Sequence, residues 1–223
     1  MWEDFAPASC LPDHCFCEAV HEGWVRQPSN AWSSLTFCVA AAAMAVQLSR
    51  LGPGRLRAVE AWCFAVAVFL LGVTSFAYHA SLTFLGQWLD VQSMYLLVLT
   101  CVAVNADALR PGRAPRFVPV YVVSNVALGV LLYTAAPLRR YAFALAILGI
   151  LLTEVLLRRK KLRDWPLASL GGAAAAQGVA FGIWILDITK TVCFPWSPVQ
   201  GHAIWHALGA VATWLLWRYY RGR

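Results

Sequence analysis

Long apolar runs broken by short polar punctuation dominate this chain. Seven stretches have about the twenty mostly apolar residues that a membrane-crossing helix needs. They fall at roughly 30–49, 58–79, 85–105, 117–135, 140–157, 167–188 and 200–218. Gly, Pro or basic clusters separate them, such as Gly52-Pro53-Gly54, Pro111-Gly112-Arg113 and Arg158-Arg159-Lys160-Lys161. The pattern predicts an all-α membrane protein of seven transmembrane helices. It divides into an acidic, Cys-rich extracytoplasmic head at 1–29, a seven-helix domain at 30–218 and a short basic tail at 219–223. No internal repeat or low-complexity linker interrupts it.

Composition supports the same class. Of 223 residues, 60% are hydrophobic and only 13% charged, against about 45–50% and 25% in a soluble domain. That excludes soluble enzymes, nucleic-acid modules and disordered chains. The +7 net charge matters less than where it sits. Fourteen of the 18 Lys and Arg residues fall in the first, third and fifth loops and the C-terminus. Arg26, Arg139, Arg140 and Lys190 alone lie on the other side. The positive-inside rule then puts the C-terminus in the cytoplasm and the N-terminus outside.

The head does not read as a signal peptide. Glu3, Asp4, Asp13, Glu18 and Glu22 face a single Arg26, where a signal peptide would begin basic and turn apolar. Cys10, Cys15, Cys17 and Cys193 share the outer side, where disulfides persist, and three pairings are open to them. Cys38, Cys63 and Cys101 fall inside helices and read as packing.

Ionisable residues within spanning helices each need a reason. Glu60 beside Arg57, and Glu154 one turn before Arg158, read as snorkelling ion pairs at the cytoplasmic boundary. Asp90 and Asp187 are different, because they lie toward the outer ends of their helices. By direction of travel, the second helix ends outward at His79 and the third starts inward just before Asp90. The sixth ends outward at Asp187, and the seventh starts outside with His202 and His206. Three histidines and two acids thus converge at one depth from four helices.

His202 and His206 are i,i+4, which places both imidazoles on one face about 5–6 Å apart. Ser75 and His79 share the same spacing on the second helix. HxxxH alone is a weak signal, and buried histidines or an interfacial helix would also give it. Joined by His79, Ser75 and Asp90, it points to a metal, with three neutral imidazoles and a water making a tetrahedral catalytic zinc site. Haem fits poorly, because i,i+4 histidines cannot easily lie on opposite faces of a macrocycle. A retinal Schiff base lacks an attachment point, since the seventh helix has no Lys.

The constellation resembles the alkaline ceramidases and their wider superfamily of seven-helix membrane hydrolases, which includes adiponectin-receptor-like and Per1-like proteins. The shared pattern is Ser75 and His79 in SFAYHAS, Asp90 in LDVQSM, and His202 and His206 in GHAIWHALGA. Residues 17–35, CEAVHEGWVRQPSNAWSSL, and residues 184–193, WILDITKTVC, resemble the ceramidase branch in particular. The resemblance implies a disulfide from Cys17 to Cys193, leaving Cys10 and Cys15 as a second pair. It implies zinc on His79, His202 and His206, with Asp90 activating the water and Ser75 close to the metal. It further implies calcium in the head. Here only Glu18 matches the calcium pattern, while Cys15, Val20 and Gln27 stand where it has an acid, an Asn and a Glu. Asp13 and Glu22 are the candidate substitutes, too few carboxylates for a hard cation, so calcium is not expected.

The expected activity is a zinc-dependent intramembrane amidase acting on ceramide or a related N-acyl lipid, with Asp90 as the proton carrier and Ser75 at the oxyanion. A lipid esterase on the same metal, and a receptor whose zinc is structural, are the rivals. A structural zinc closes its fourth position with a protein ligand, and no Cys lies at the right depth in the helices carrying the histidines. The acyl chain would lie between helices among residues such as Trp88, Met94, Trp184 and Trp205, although the aromatics among them read first as an interfacial belt. Short loops and the missing calcium acids suggest a bacterial inner-membrane protein with its site near the outer leaflet and no nucleic-acid partner.

Overall fold

The computed structural model describes residues 2, 4–11 and 15–222; Asp13, named as a calcium candidate, lies outside them. Seven helices follow in order: α1 (Pro28–Leu51), α2 (Ala58–Ser81), α3 (Phe84–Ala108), α4 (Phe117–Thr134), α5 (Arg139–Arg159), α6 (Ala168–Ile188) and α7 (Gly201–Arg221). Among the described residues there is no strand, only an isolated bridge between Pro7 and Thr83. Six helices, α1 to α6, are long and apolar enough to cross a membrane. The seventh is as long as α6 but carries His202, His206, Arg218 and Arg221, which dilute its apolar run.

The helices are built for lipid. In α4 the buried residues include Asn125 and Gly129, whereas Val118, Val122, Val123, Val126 and Val130 stand half or more exposed. Polar and small residues inside with branched aliphatics outside reverse the soluble pattern and match a hydrocarbon solvent. The protein is an integral, multi-pass membrane protein.

Neighbours follow one line. α6 packs on α7, α7 on α1, α1 on α2, α2 on α3, and α3 on both α4 and α5. At the α1–α2 crossing Gly72 lies so close that a Cβ there would sit 2.5 Å from Cys38 Sγ. Substantive packing of α6 against α3, α4 or α5 is absent among the described residues, so the ring is open on that side.

The end of the bundle carrying the chain's C-terminus is closed by a polar network. Arg57 pairs with Glu60 at 2.5 Å, as the i,i+3 spacing suggests, and also with Asp107 at 2.6 Å. Asp107 in turn accepts the Arg116 and Phe117 N–H groups at the start of α4. Glu154 meets Arg158 at 2.9 Å, as the i,i+4 spacing suggests, but it is buried and also holds the buried Arg163 at 2.6 Å. Arg163 donates to Asn105 at 2.7 Å and lies over Trp165, and the Tyr219 hydroxyl donates to Glu154. A lone buried charge is costly, and these groups satisfy one another across α3, α5 and α7. Residues 219–221 continue α7, with Tyr219, Tyr220 and Arg221 buried.

Candidate active site

The other end of the bundle gathers the polar residues. His79 lies in the last turn of α2 and His202 and His206 in the first two turns of α7. A tight corner brings α2 to α3: Leu82 takes the left-handed conformation, φ 49°, and Thr83 caps α3 by accepting from Gly86 N–H. Such a backbone costs a β-substituted residue roughly 1–2 kcal/mol, and burial of Leu82 beside Ala8, Cys15 and Tyr78 holds it in place.

The three imidazoles converge. Their ligand atoms all lie within 4.8 Å of one another, and all three residues are buried. His79 Nε2 is 3.2 Å from His202 Nε2. His206 Nε2 faces the Ser75 hydroxyl at 3.4 Å, and Ser75 is an electrostatic neighbour of Asp90. The structure therefore brings together all five residues that the sequence singled out from three different helices: Ser75, His79, Asp90, His202 and His206.

Outer contacts fix two of the rings. Gln27 donates its Nε2 to the Glu18 carbonyl at 3.2 Å, so its Oε1 faces His79 Nδ1 at 3.0 Å. An amide oxygen only accepts, so His79 carries its proton on Nδ1 and turns the Nε2 lone pair toward the other histidines. His206 Nδ1 meets the Ser33 hydroxyl at 2.8 Å. His202 Nδ1 is buried and has no hydrogen-bond partner among the described residues.

Asp187 does not join the cluster. Its carboxylate accepts the Cys17 N–H at 3.2 Å and the His202 N–H at 3.1 Å, tying the head to the start of α7. The close approach needs Gly201, where a Cβ would come within 3.0 Å of Asp187.

Glu18 is spent similarly. Its two oxygens accept the Ser29 and Asn30 N–H groups at 2.7 and 2.9 Å, at the start of α1. Burial pushes its carboxyl up, against the pull of those N–H groups. Glu22 is exposed, and among the described residues only the histidine cluster gathers three potential metal ligands.

The head is cross-linked twice, by Cys10–Cys15 and Cys17–Cys193. Between those two bonds sits Phe16, whose ring stacks on His202 at 3.8 Å and lies 5.0 Å from His79. Sequence reasoning missed Phe16, Gln27 and Ser33. They come from the head and from the start of α1, where no periodic spacing relates them to a histidine. A groove of about 450 Å³ lined by Trp88, Gln92, Asn125, Val126, Gly129, Val130 and Tyr133 runs between α3 and α4, apart from this cluster.

Fold and site together define a multi-pass membrane protein with a buried three-histidine centre backed by a Ser–Asp pair. A family model described as Ceramidase matches residues 12–221, and the chain belongs to the ceramidase family. It is similar to alkaline ceramidase 1 of Mus musculus, 27% identical over 219 residues that cover 92% of this chain and 76% of that protein.

Proposed function

We propose that the protein hydrolyses the amide bond of ceramide or a related N-acyl lipid at a zinc ion held by His79, His202 and His206. The observation that carries this reading is the convergence of three buried imidazoles within 4.8 Å, in a member of the ceramidase family. The donor set fits the metal. Ligands at 2.0–2.1 Å in a tetrahedron stand about 3.3 Å apart, close to the 3.2 Å between His79 Nε2 and His202 Nε2. The Gln27 and Ser33 contacts at the outer nitrogens are those that orient metal-bound histidines.

A zinc ion in this position supplies a Lewis acid that polarises the amide carbonyl and brings the pKa of a water to about 7. The chain's own residues do the rest. Asp90 takes the proton from the attacking water and delivers it to the leaving amine. Ser75, whose hydroxyl faces His206 Nε2 at 3.4 Å, offers its one O–H to the developing oxyanion. Burial of the three histidines keeps bulk water from the reacting atoms.

The basic asymmetry of the loops supports seven spans with the N-terminus outside, which sets the site near the outer leaflet. The head at 1–29 then lies over the seven-helix domain at 30–218. Short loops support a bacterial inner membrane. The open side between α5 and α6 gives a lipid a lateral approach. The test is a panel of N-acyl and O-acyl lipids incubated with the purified zinc-loaded protein. Release of fatty acid from N-acyl sphingoid lipids is expected. Turnover of esters alone would make the protein an esterase, and no turnover despite bound zinc would favour a receptor.

A further inference from the structure

We propose that Phe16 forms the ceiling of the site and selects the substrate. It admits N-acyl lipids whose primary hydroxyl is free and turns away those carrying a large polar headgroup on that hydroxyl. The inference rests on the amidase reading above and adds to it the residue that sets its specificity.

A membrane lipid presents its acyl chains to the bilayer and its polar end toward the interface. With its amide carbonyl at the histidines, the polar end of an N-acyl amino alcohol points toward the head. That space is filled. The Phe16 ring stacks on His202, 3.8 Å between centroids and 27° from parallel, and stands 5.0 Å from His79 and 6.3 Å from Tyr78. His79, in the last turn of α2, is 0% exposed, with Phe16 among the side chains that cover it.

The ring is also held where it is. Both of its chain neighbours are cross-linked: Cys15 to Cys10, and Cys17 to Cys193 beyond α6. Cys17 N–H is further bound by Asp187, whose other oxygen holds His202 N–H. On the far side Ala8 N–H donates to Leu82 C=O at 2.9 Å and Phe84 N–H to Ala6 C=O at 2.8 Å. Ser9 donates to Gln87, and Arg139 to Ser9. Contacts to α3, α6, α7 and the α2–α3 corner thus fix one aromatic side chain over the metal ligands. Moving it aside for a bulky headgroup would disturb several at once, and a rigid wall of this kind discriminates by clash rather than by attraction.

The test uses full-length zinc-loaded protein, wild type and the variants Phe16→Ala and Phe16→Leu. Two substrates are compared, an N-acyl sphingoid lipid with a free primary hydroxyl and the same lipid bearing phosphocholine there. Phe16→Ala is expected to raise the kcat/KM ratio of the phosphocholine lipid to the free lipid by at least roughly tenfold, the scale on which a pocket discriminates by size. Phe16→Leu, which keeps an apolar side chain and guards against misfolding of the smaller variant, should fall between. Zinc should also pass faster from Phe16→Ala to a water-soluble chelator, a readout independent of turnover. An unchanged ratio in both variants overturns the proposal, as does a wild type that cleaves both lipids equally well. A wild type that cleaves neither defeats the amidase reading itself, and unchanged zinc loss would then remove the ceiling as well.

Discussion

Gln27 Oε1 lies 3.0 Å from His79 Nδ1, and the same side chain donates to the Glu18 carbonyl at 3.2 Å. A single buried amide therefore joins the head to a metal-ligand candidate and fixes which nitrogen of that ligand is free. Replacing Gln27 by Leu keeps much of its volume and removes the acceptor. Zinc affinity, measured by competition with a chelator of known affinity, should fall by about 10–100-fold, the usual effect of losing such an orienting contact. An unchanged affinity would reduce Gln27 to packing.

The ligand set is tested by metal content. About one zinc per chain is expected, lost on His79→Ala, His202→Ala or His206→Ala. Elemental analysis that finds full zinc in the His202→Ala/His206→Ala double variant would rule the site out. Glu18→Gln makes the contrasting case. Its carboxylate is occupied by the Ser29 and Asn30 N–H groups, so this variant should lose stability while keeping its zinc.

What the sequence disclosed here was limited to residues tied together by helical period or by depth. His202 with His206, and Ser75 with His79, were legible because four residues make about one turn. Asp90 was legible because it is an acid in an apolar run. The direction of the chain brought these sets to one end. Phe16, Gln27 and Ser33 were invisible by the same logic, since their positions depend on how an irregular head folds back over the bundle. The burial of Glu154 is hidden from the sequence for a related reason. Its i,i+4 partner Arg158 is local, but its second partner Arg163 comes from the loop after α5.

The head's attachment is measurable by mass spectrometry. Unreduced protein should release a peptide linking residues around Cys17 to those around Cys193, 176 positions apart. Closing so long a loop restricts the unfolded chain, and the Cys17→Ser/Cys193→Ser pair should lower stability by roughly 2–5 kcal/mol. Thermal unfolding in detergent checks this. Free thiols at both positions in oxidised protein would contradict the structure.

Asp187 and Asp90 are both acids near the same end of the bundle, yet their surroundings predict opposite phenotypes. Asp187 accepts two backbone N–H groups, from Cys17 and His202. Asp187→Asn sets an amide N–H against one of those donors and should cost roughly 1–3 kcal/mol of stability, with the chemical step retained in the folded fraction. Asp90 neighbours Ser75, which faces His206. Asp90→Asn keeps the size and most of the hydrogen bonding of the side chain but cannot accept a proton. Zinc occupancy should stay near wild type while lipid amide hydrolysis falls by about 10²–10⁴-fold, the contribution of a positioned acid–base group. If Asp90 only orients its neighbours, the loss should appear in metal affinity instead, by about 10–100-fold. Parallel measurement of zinc content, thermal unfolding and single-turnover hydrolysis in the two variants separates these outcomes. Wild-type turnover in zinc-loaded Asp90→Asn would remove Asp90 from the proton path.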